Sequence, residues 1–250
     1  MPTFHNGPVE IAYLDQGEGE PILLIHGFAS NKDMNWSFPN WVTTLMRAGR
    51  RVIALDNRGH GQSTKLYSPD DYDTARMASD ARALLDHLGI ERADVMGYSM
   101  GARISAWLAV ESPERVRSVV LGGLGIHLVE GVGLPQEVAQ ALEAPSVDDA
   151  QTAQGRTFRL FAEQTRSDLK ALAACIRGSR QTLTAEQVGQ ITCPVLIAIG
   201  TKDTVSGAAA PLAVLIPGAE VVDIPERDHM LAVGDKVYKQ AVVEFLSRRP

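Results

Sequence analysis

The chain has 250 residues, of which 45% are hydrophobic and 22% are charged, and its formal net charge is −6. This apolar fraction excludes a disordered chain, and the length suffices for one large α/β domain or two small ones. The acidic balance and the lack of a basic run argue against nucleic acid or an anionic membrane surface as a partner.

The location of the protein is predicted from its cysteines and apolar runs. No apolar run approaches the roughly 18 residues that a membrane span needs. Cys175 and Cys193 lie in no metal-binding motif, and so few thiols are typical of a reducing compartment. The first residues, Met1–Gly7, lack the basic start and apolar core of a signal peptide. We therefore expect a cytoplasmic protein with no membrane partner.

The first half of the chain alternates short β-rich runs with helical patterns. Predicted strands cover Val9–Leu14, Pro21–Ile25, Arg51–Leu55, Ala93–Tyr98 and Ser118–Leu121, and predicted helices cover Asn40–Ala48, Thr74–Leu88 and Met100–Val110. Runs such as Pro21–Ile25 are continuously apolar, which is typical of strands buried on both faces of a parallel sheet. The alternation predicts an α/β fold with a doubly wound, mostly parallel sheet.

The strand pattern stops at about Ile126 and resumes after Gln190. Between them, short amphipathic helices are predicted near Leu134–Leu142, Thr157–Gln164 and Asp168–Arg177. Beyond them, the pattern predicts a strand at Pro194–Gly200, a helix near Gly207–Ile216, a strand at Glu220–Ile224 and a helix near Gly234–Leu246. We predict one sheet domain, residues 1–125 and 191–250, interrupted by a helical insertion over residues 126–190.

A candidate nucleophile lies in Gly97–Gly101, which matches the pattern G-x-S-x-G. A predicted strand precedes Ser99 and a predicted helix follows it, which is the context that this motif requires. Side chains at positions 97 and 101 would collide where the helix folds back on the strand. The free N–H groups of the helix N-terminus would face the reaction centre. The alternative interpretation is a Gly/Ser turn that only caps a helix.

Two further motifs accompany this turn: His26–Phe28 after the predicted strand Pro21–Ile25, and Asp56–Ser63 after the predicted strand Arg51–Leu55. With Gly97–Gly101 they make the chain resemble the α/β-hydrolase fold family over nearly its whole length. The resemblance implies a carboxylesterase-like serine hydrolase in which residues 126–190 form a helical cap over the site. The sequence shows no metal-ligand spacing and no dinucleotide-binding motif, so we expect neither a metal nor a cofactor.

The resemblance also implies the order nucleophile, acid, histidine along the chain. His229 follows the last strand, and Asp203 follows the strand that resumes after the insertion. Asp228 and Asp223 are less favoured acids, because the first neighbours the histidine in an extended loop and the second lies within a strand. The other histidines are interpreted as structural or surface residues, with His127 open as a pocket residue: His5, His26, His60, His87 and His127.

The family pattern further implies an oxyanion hole made by the backbone amides of Phe28 and Met100. Candidate pocket residues, each of which has cap core as its alternative, are Trp36, Leu124, His127, Phe158, Phe161 and Met230. Lys32 and Arg103 are more typical of solvated or structural cations than of a carboxylate clamp. We therefore expect a small, neutral and fairly apolar substrate.

The leading hypothesis is a hydrolase of carboxylic esters that forms an acyl-enzyme on Ser99. Enol-lactone and C–C bond hydrolases on the same triad stay open, as does thioesterase or acyltransferase activity. A receptor with slow turnover on the same scaffold is the alternative from another class. Dehalogenases and epoxide hydrolases are disfavoured, because their family pattern places aspartate where Ser99 stands. The expected partner is a small-molecule ester, and the oligomeric state is left open.

Overall fold

An eight-stranded sheet forms the centre of a computed structural model that describes residues 1–131 and 136–248. The strands are β1 Thr3–Asn6, β2 Val9–Gln16, β3 Glu20–Ile25, β4 Arg50–Leu55, β5 Ala93–Tyr98, β6 Val116–Gly122, β7 Val195–Gly200 and β8 Glu220–Ile224. Their order across the sheet is β1-β2-β4-β3-β5-β6-β7-β8. The β1–β2 and β2–β4 pairs are antiparallel and the others are parallel. The predicted α/β class with a mostly parallel sheet is confirmed.

Helices connect the parallel strands. They are α1 Trp41–Arg47, α2 Thr74–His87, α3 Met100–Glu111, α4 His127–Glu130, α5 Gln136–Glu143, α6 Ala153–Gln164, α7 Leu169–Gly178, α8 Ala185–Gly189, α9 Ala209–Leu215 and α10 Lys236–Arg248. Several begin at a side-chain cap. The Asp73 carboxylate accepts a hydrogen bond from the Ala75 amide at the start of α2, and Asp168 accepts from the amides of Lys170 and Ala171 at the start of α7. Such caps satisfy N–H groups that the first helical turn leaves free.

Both faces of the sheet are covered by apolar side chains. In β3, Leu23 and Ile25 belong to one buried cluster, whereas Ile22 and Leu24 belong to the other. Successive side chains of a strand point to opposite faces, so a continuously apolar strand supplies both clusters. Helices α1 and α10 cover one face, and α2, α3 and α9 cover the other.

The strand register brings the carboxyl ends of the central strands together. Gly97 of β5 is paired with Ile25 of β3 and with Leu121 of β6. Gly122 of β6 is in turn paired with Ala198 of β7. The loops that follow β3, β5, β6 and β7 therefore meet at one edge of the sheet, where open α/β sheets bind their ligands.

The segment between β6 and β7 contains α4 to α8, and the described part of it contains no strand. The predicted helix near Leu134–Leu142 corresponds to α5, although Leu134 and Pro135 lie outside the described residues. Helix α5 packs on both α6 and α7, and the three helices contribute Val138, Phe158 and Leu172 to the same cluster as α2 and α3. Within the described residues, no helix is long and apolar enough to cross a membrane.

Candidate active site

Ser99 occupies a sharp turn between β5 and α3. Its φ of 54° and ψ of −114° lie in a region that non-glycine residues rarely adopt. A Cβ atom at Gly97 would collide with the Gly101 carbonyl, and one at Gly101 would collide with the Ile25 carbonyl. Helix α3 thus passes too close to two strands for any side chain at either position, and this close packing holds Ser99 at the edge of the sheet.

Three side chains form a line of hydrogen bonds at this edge. Ser99 Oγ lies 2.9 Å from His229 Nε2, and His229 Nδ1 lies 2.8 Å from Asp203 Oδ2. Asp203 follows β7 and His229 follows β8. Because an ionised carboxylate only accepts, the imidazole carries its proton on Nδ1 and accepts the Ser99 hydroxyl proton at Nε2.

Asp203 is held by its own loop as well as by the histidine. Its Oδ1 accepts from the Val205 amide at 2.7 Å and the Ser206 amide at 3.0 Å, and the Ser206 hydroxyl donates to Oδ2 at 2.5 Å. Burial by itself would raise the pKa of Asp203, but the hydrogen bond and charge of His229, together with hydrogen bonds from the Ser206 hydroxyl and the Val205 amide, lower it to about 2. The carboxyl is therefore ionised at neutral pH.

The alternative acids are used differently. Asp228 accepts hydrogen bonds from the amides of Met230 and Leu231, at 3.0 and 2.8 Å, and so shapes the loop that carries His229. Asp223 is paired with Ile199 within the sheet. The Tyr98 hydroxyl, which no sequence motif indicated, donates a hydrogen bond to the His229 carbonyl at 2.6 Å. This bond ties the loop that carries His229 to the end of β5.

Two backbone amides face the same space as Ser99. The amides of Phe28 and Met100 have no hydrogen-bond acceptor among the described residues, and both residues line a cavity with Ser99. The loop that carries Phe28 is firmly held, since the Gly27 amide donates to Asn35 Oδ1 and the amide and ammonium of Lys32 both donate to buried Asp56.

Two cavities meet at Ser99 and share the Phe28 side chain. Both are open to solvent, and the space between their walls, with the open part included, is about 570 Å³ in the first and about 580 Å³ in the second. Side chains that line the first include Met100, Arg103, Leu124, Ile176, Arg180 and Val205. Those that line the second include Met34, Asn35, Phe158, Phe161, His229 and Met230.

Two of the expected pocket residues lie elsewhere. Trp36 is fully buried and packs against Trp41 in the apolar cluster on the face of the sheet that α1 and α10 cover. The His127 ring bonds the Val205 carbonyl at 2.8 Å and is not among the residues that line either cavity. Both are corrected from pocket residues to structural ones.

The comparisons with known proteins agree with this architecture. Residues 20–175 match the family model described as alpha/beta hydrolase fold. The chain belongs to this family.

Individual relatives are similar over most of the chain. A crystal structure of a hydrolase from Pseudomonas aeruginosa superposes with a TM-score of 0.81 at 25% identity and covers 98% of this chain and 97% of that one. A 3-oxoadipate enol-lactonase from Acinetobacter baylyi is 27% identical, over 84% of each chain. The acetyltransferase component of an acetoin cleaving system from Pseudomonas putida is 33% identical, over 92% of this chain but 64% of that protein. This chain therefore spans less than two thirds of the length of the acetyltransferase component.

Proposed function

We propose that this α/β hydrolase is a serine hydrolase that cleaves carboxylic esters through an acyl-enzyme on Ser99. The proposal rests on the hydrogen-bonded line of Ser99, His229 and Asp203 at the edge of the sheet. A serine hydroxyl is a weak nucleophile until a base takes its proton, and an imidazole at 2.9 Å is within reach to do so.

In the first step, Ser99 Oγ forms a bond to the ester carbonyl carbon while its proton passes to His229 Nε2. Negative charge then develops on the carbonyl oxygen, where the amides of Phe28 and Met100 donate to it. The Asp203 carboxylate stabilises the imidazolium and keeps the ring in its orientation. The tetrahedral intermediate collapses as the C–O bond to the alcohol breaks, and His229 returns the proton to the leaving oxygen.

In the second step, water attacks the acyl-enzyme. His229 Nε2 takes a proton from the water, whose oxygen bonds the acyl carbon. The bond to Ser99 Oγ then breaks, and the proton returns from His229 to that oxygen. The carboxylic acid leaves and the enzyme is restored.

The two cavities would hold the two halves of the ester. His229 lines the second cavity, and since it protonates the leaving alcohol, we assign that cavity to the alcohol half. The first cavity lies on the Met100 side of Ser99 and is assigned to the acyl half. Both are lined in part by residues of the segment 126–190, such as Ile176 and Phe161, which supports its role as a cap over the site.

Two observations bear on the location and the partners of the enzyme. Cys175 and Cys193 are both free thiols, and the net charge is −6. On these grounds we place the enzyme in the cytoplasm and assign it small-molecule partners.

Intact-protein mass spectrometry tests the proposal directly. A fluorophosphonate is expected to add once to the wild type and not to Ser99→Ala. A chromogenic 4-nitrophenyl ester is expected to turn over continuously. Rapid labelling followed by a single slow turnover would favour a receptor on the same scaffold, and unchanged labelling of Ser99→Ala would refute the assigned nucleophile.

A similarity to an enol-lactonase makes lactone hydrolysis the second candidate. An enol-lactone and an open-chain ester of equal acyl length, compared by kcat/KM, would separate the two activities.

A further inference from the structure

The first cavity contains two arginines that the sequence analysis did not bring together. Arg103 lies on α3, four residues after Ser99, and is 7% exposed, whereas Arg180 follows α7 and is exposed. Both line the cavity that also contains Ser99 and Met100. The cavity wall thus combines apolar side chains such as Leu124 and Ile176 with these two cationic ones.

Arg103 differs from the other buried arginines in its partners. Arg50, Arg58 and Arg159 each contact a carboxylate, at 3.4, 2.7 and 2.7 Å respectively. Arg103 instead donates to the backbone carbonyls of His127, Leu128 and Gln181. Those carbonyls accept hydrogen bonds from the guanidinium group but carry no negative charge to neutralise it. A buried charge without a counter-charge costs free energy.

Arg180 is also a cation, so it adds to the positive charge of the cavity and does not neutralise Arg103. Among the described residues, no ion pair includes either Arg103 or Arg180. Burial, and then repulsion by Arg180, lowers the pKa of Arg103 to about 10, which leaves it charged at neutral pH. Two like charges that share one cavity wall are relieved by an anion placed between them and the solvent.

We propose that the first cavity binds an acyl group whose far end carries a carboxylate, which pairs with Arg180 at the rim in the field of Arg103. This inference rests on the proposed ester hydrolysis and specifies its substrate class: monoesters of aliphatic dicarboxylic acids, with a neutral alcohol. Guanidinium groups are suited to this role because their paired N–H donors match a carboxylate. The expectation of a wholly neutral substrate is thereby revised for the acyl half.

The test compares two substrates with the same six-carbon acyl chain, 4-nitrophenyl hydrogen adipate and 4-nitrophenyl hexanoate. The wild type is expected to show the higher kcat/KM for the adipate monoester. Arg180→Gln is expected to lower the adipate-to-hexanoate ratio of kcat/KM by about tenfold or more, mainly through KM for the adipate monoester, because a charge-assisted hydrogen bond is lost with that substrate only.

The matched control is Arg156→Gln. Arg156 is also a cap arginine, but it pairs with Asp148 on the outside of α6, and its loss changes the net charge by the same amount. The adipate-to-hexanoate ratio is expected to stay within about twofold of wild type, because Arg156 does not line the cavity, whereas a long-range effect of total charge would lower the ratio equally in both variants. An equal fall of the ratio in both variants would overturn the proposal, as would a wild type that prefers hexanoate.

A third substrate tests which half carries the anion. With 4-carboxyphenyl hexanoate the carboxylate lies on the alcohol half, and Arg180→Gln is expected to lower its kcat/KM by a smaller factor than that of the adipate monoester. A larger loss with this ester than with the adipate monoester would overturn the assignment to the acyl half. Ser99→Ala separates the two levels of inference: retained hexanoate turnover refutes the proposed function, whereas Ser99-dependent turnover without an Arg180 effect refutes only the carboxylate.

Discussion

The two cavities that meet at Ser99 differ in the side chains that surround them. The first combines aliphatic side chains with two arginines, whereas the second is lined by Phe158, Phe161 and Met230 beside His229. A single nucleophile thus faces two chemically distinct environments. Selectivity for the acyl half and for the alcohol half is therefore expected to be set by different residues, and substitutions allow this separation to be tested.

The largest effect is expected from Ser99→Ala, which removes the atom that both cavities share. Turnover of every ester should fall by a factor of about 10⁴ or more, whatever its acyl or alcohol half, because no acyl-enzyme forms. Stopped-flow and steady-state assays with the hexanoate and adipate esters measure this. A loss confined to one substrate would contradict a common nucleophile, and an unchanged Tm serves as the control for folding.

The next largest effect is expected from Asp203→Asn, with a fall in kcat of about 10⁴-fold. The amide would present a donor to His229 Nδ1 and so favour the imidazole tautomer that cannot accept the Ser99 proton. The loss should again be equal for both substrates.

Ser206→Ala is the matched control for the Asp203 loop. It removes one hydrogen bond from the carboxylate, that of the 2.5 Å contact, and leaves the charge in place. A smaller loss, about tenfold, is expected. If Asp203→Asn cost no more than Ser206→Ala, the acid would have to be sought elsewhere.

A third prediction concerns His60, which lies behind the wall that the two cavities share. Its ring packs on the ring of Phe28 at a centroid distance of 5.9 Å. Burial, and then the neighbouring His26, lowers the pKa of His60 to about 3, whereas an unfolded histidine titrates near 6.5. The unfolded chain therefore binds the extra proton first as the pH falls. The contribution of neutral His60 to the free energy of unfolding is therefore fully present above about pH 6.5 and is lost as the pH falls toward 3.

Urea denaturation at pH 7 and pH 5 checks this prediction. Between these values the wild type should lose about 2 kcal/mol more of its unfolding free energy than His60→Gln, since each pH unit below 6.5 contributes up to about 1.36 kcal/mol. Comparing the change with pH, and not the absolute stability, corrects for any general destabilisation by the substitution. Parallel pH dependences in the two proteins would show that His60 is not held neutral.

The smallest effects should separate the cavities themselves. Phe161→Ala is expected to lower kcat/KM for bulky aryl esters by about fivefold and to spare ethyl esters, because only a large alcohol half contacts the ring. Ile176→Ala should do the same for long against short acyl chains. Each variant is the control for the other, and the assignment of the cavities is wrong if the two patterns are exchanged.

Much of the sheet was predictable from local patterns. β5 and β8 agree with their expected bounds, since a buried strand reveals itself as an apolar run between turn residues. The order Ser99, Asp203, His229 came from the family resemblance, and each residue follows a strand whose pattern is clear. Such features are encoded within a few neighbouring residues.

Contacts between distant segments were not predictable in this way. Arg180 lies just after α7 and lines the cavity, and the position of α7 against the rest of the fold is not specified by helical periodicity. Trp36 was wrongly expected in the pocket, because its side chain packs against Trp41, a contact that no local pattern specifies. Ser206 offered a weak signal, since an aspartate three residues before a serine often shapes a tight turn through its side chain.

The strained backbone of Ser99 has a consequence for laboratory evolution. Glycine adopts a φ of 54° freely, so replacing the serine would relieve about 1 kcal/mol of strain. Selection for thermal stability alone would therefore enrich glycine at position 99. The selected proteins would have a higher Tm but would no longer form an acyl-enzyme. A stabilised library of this protein needs an activity screen at every round.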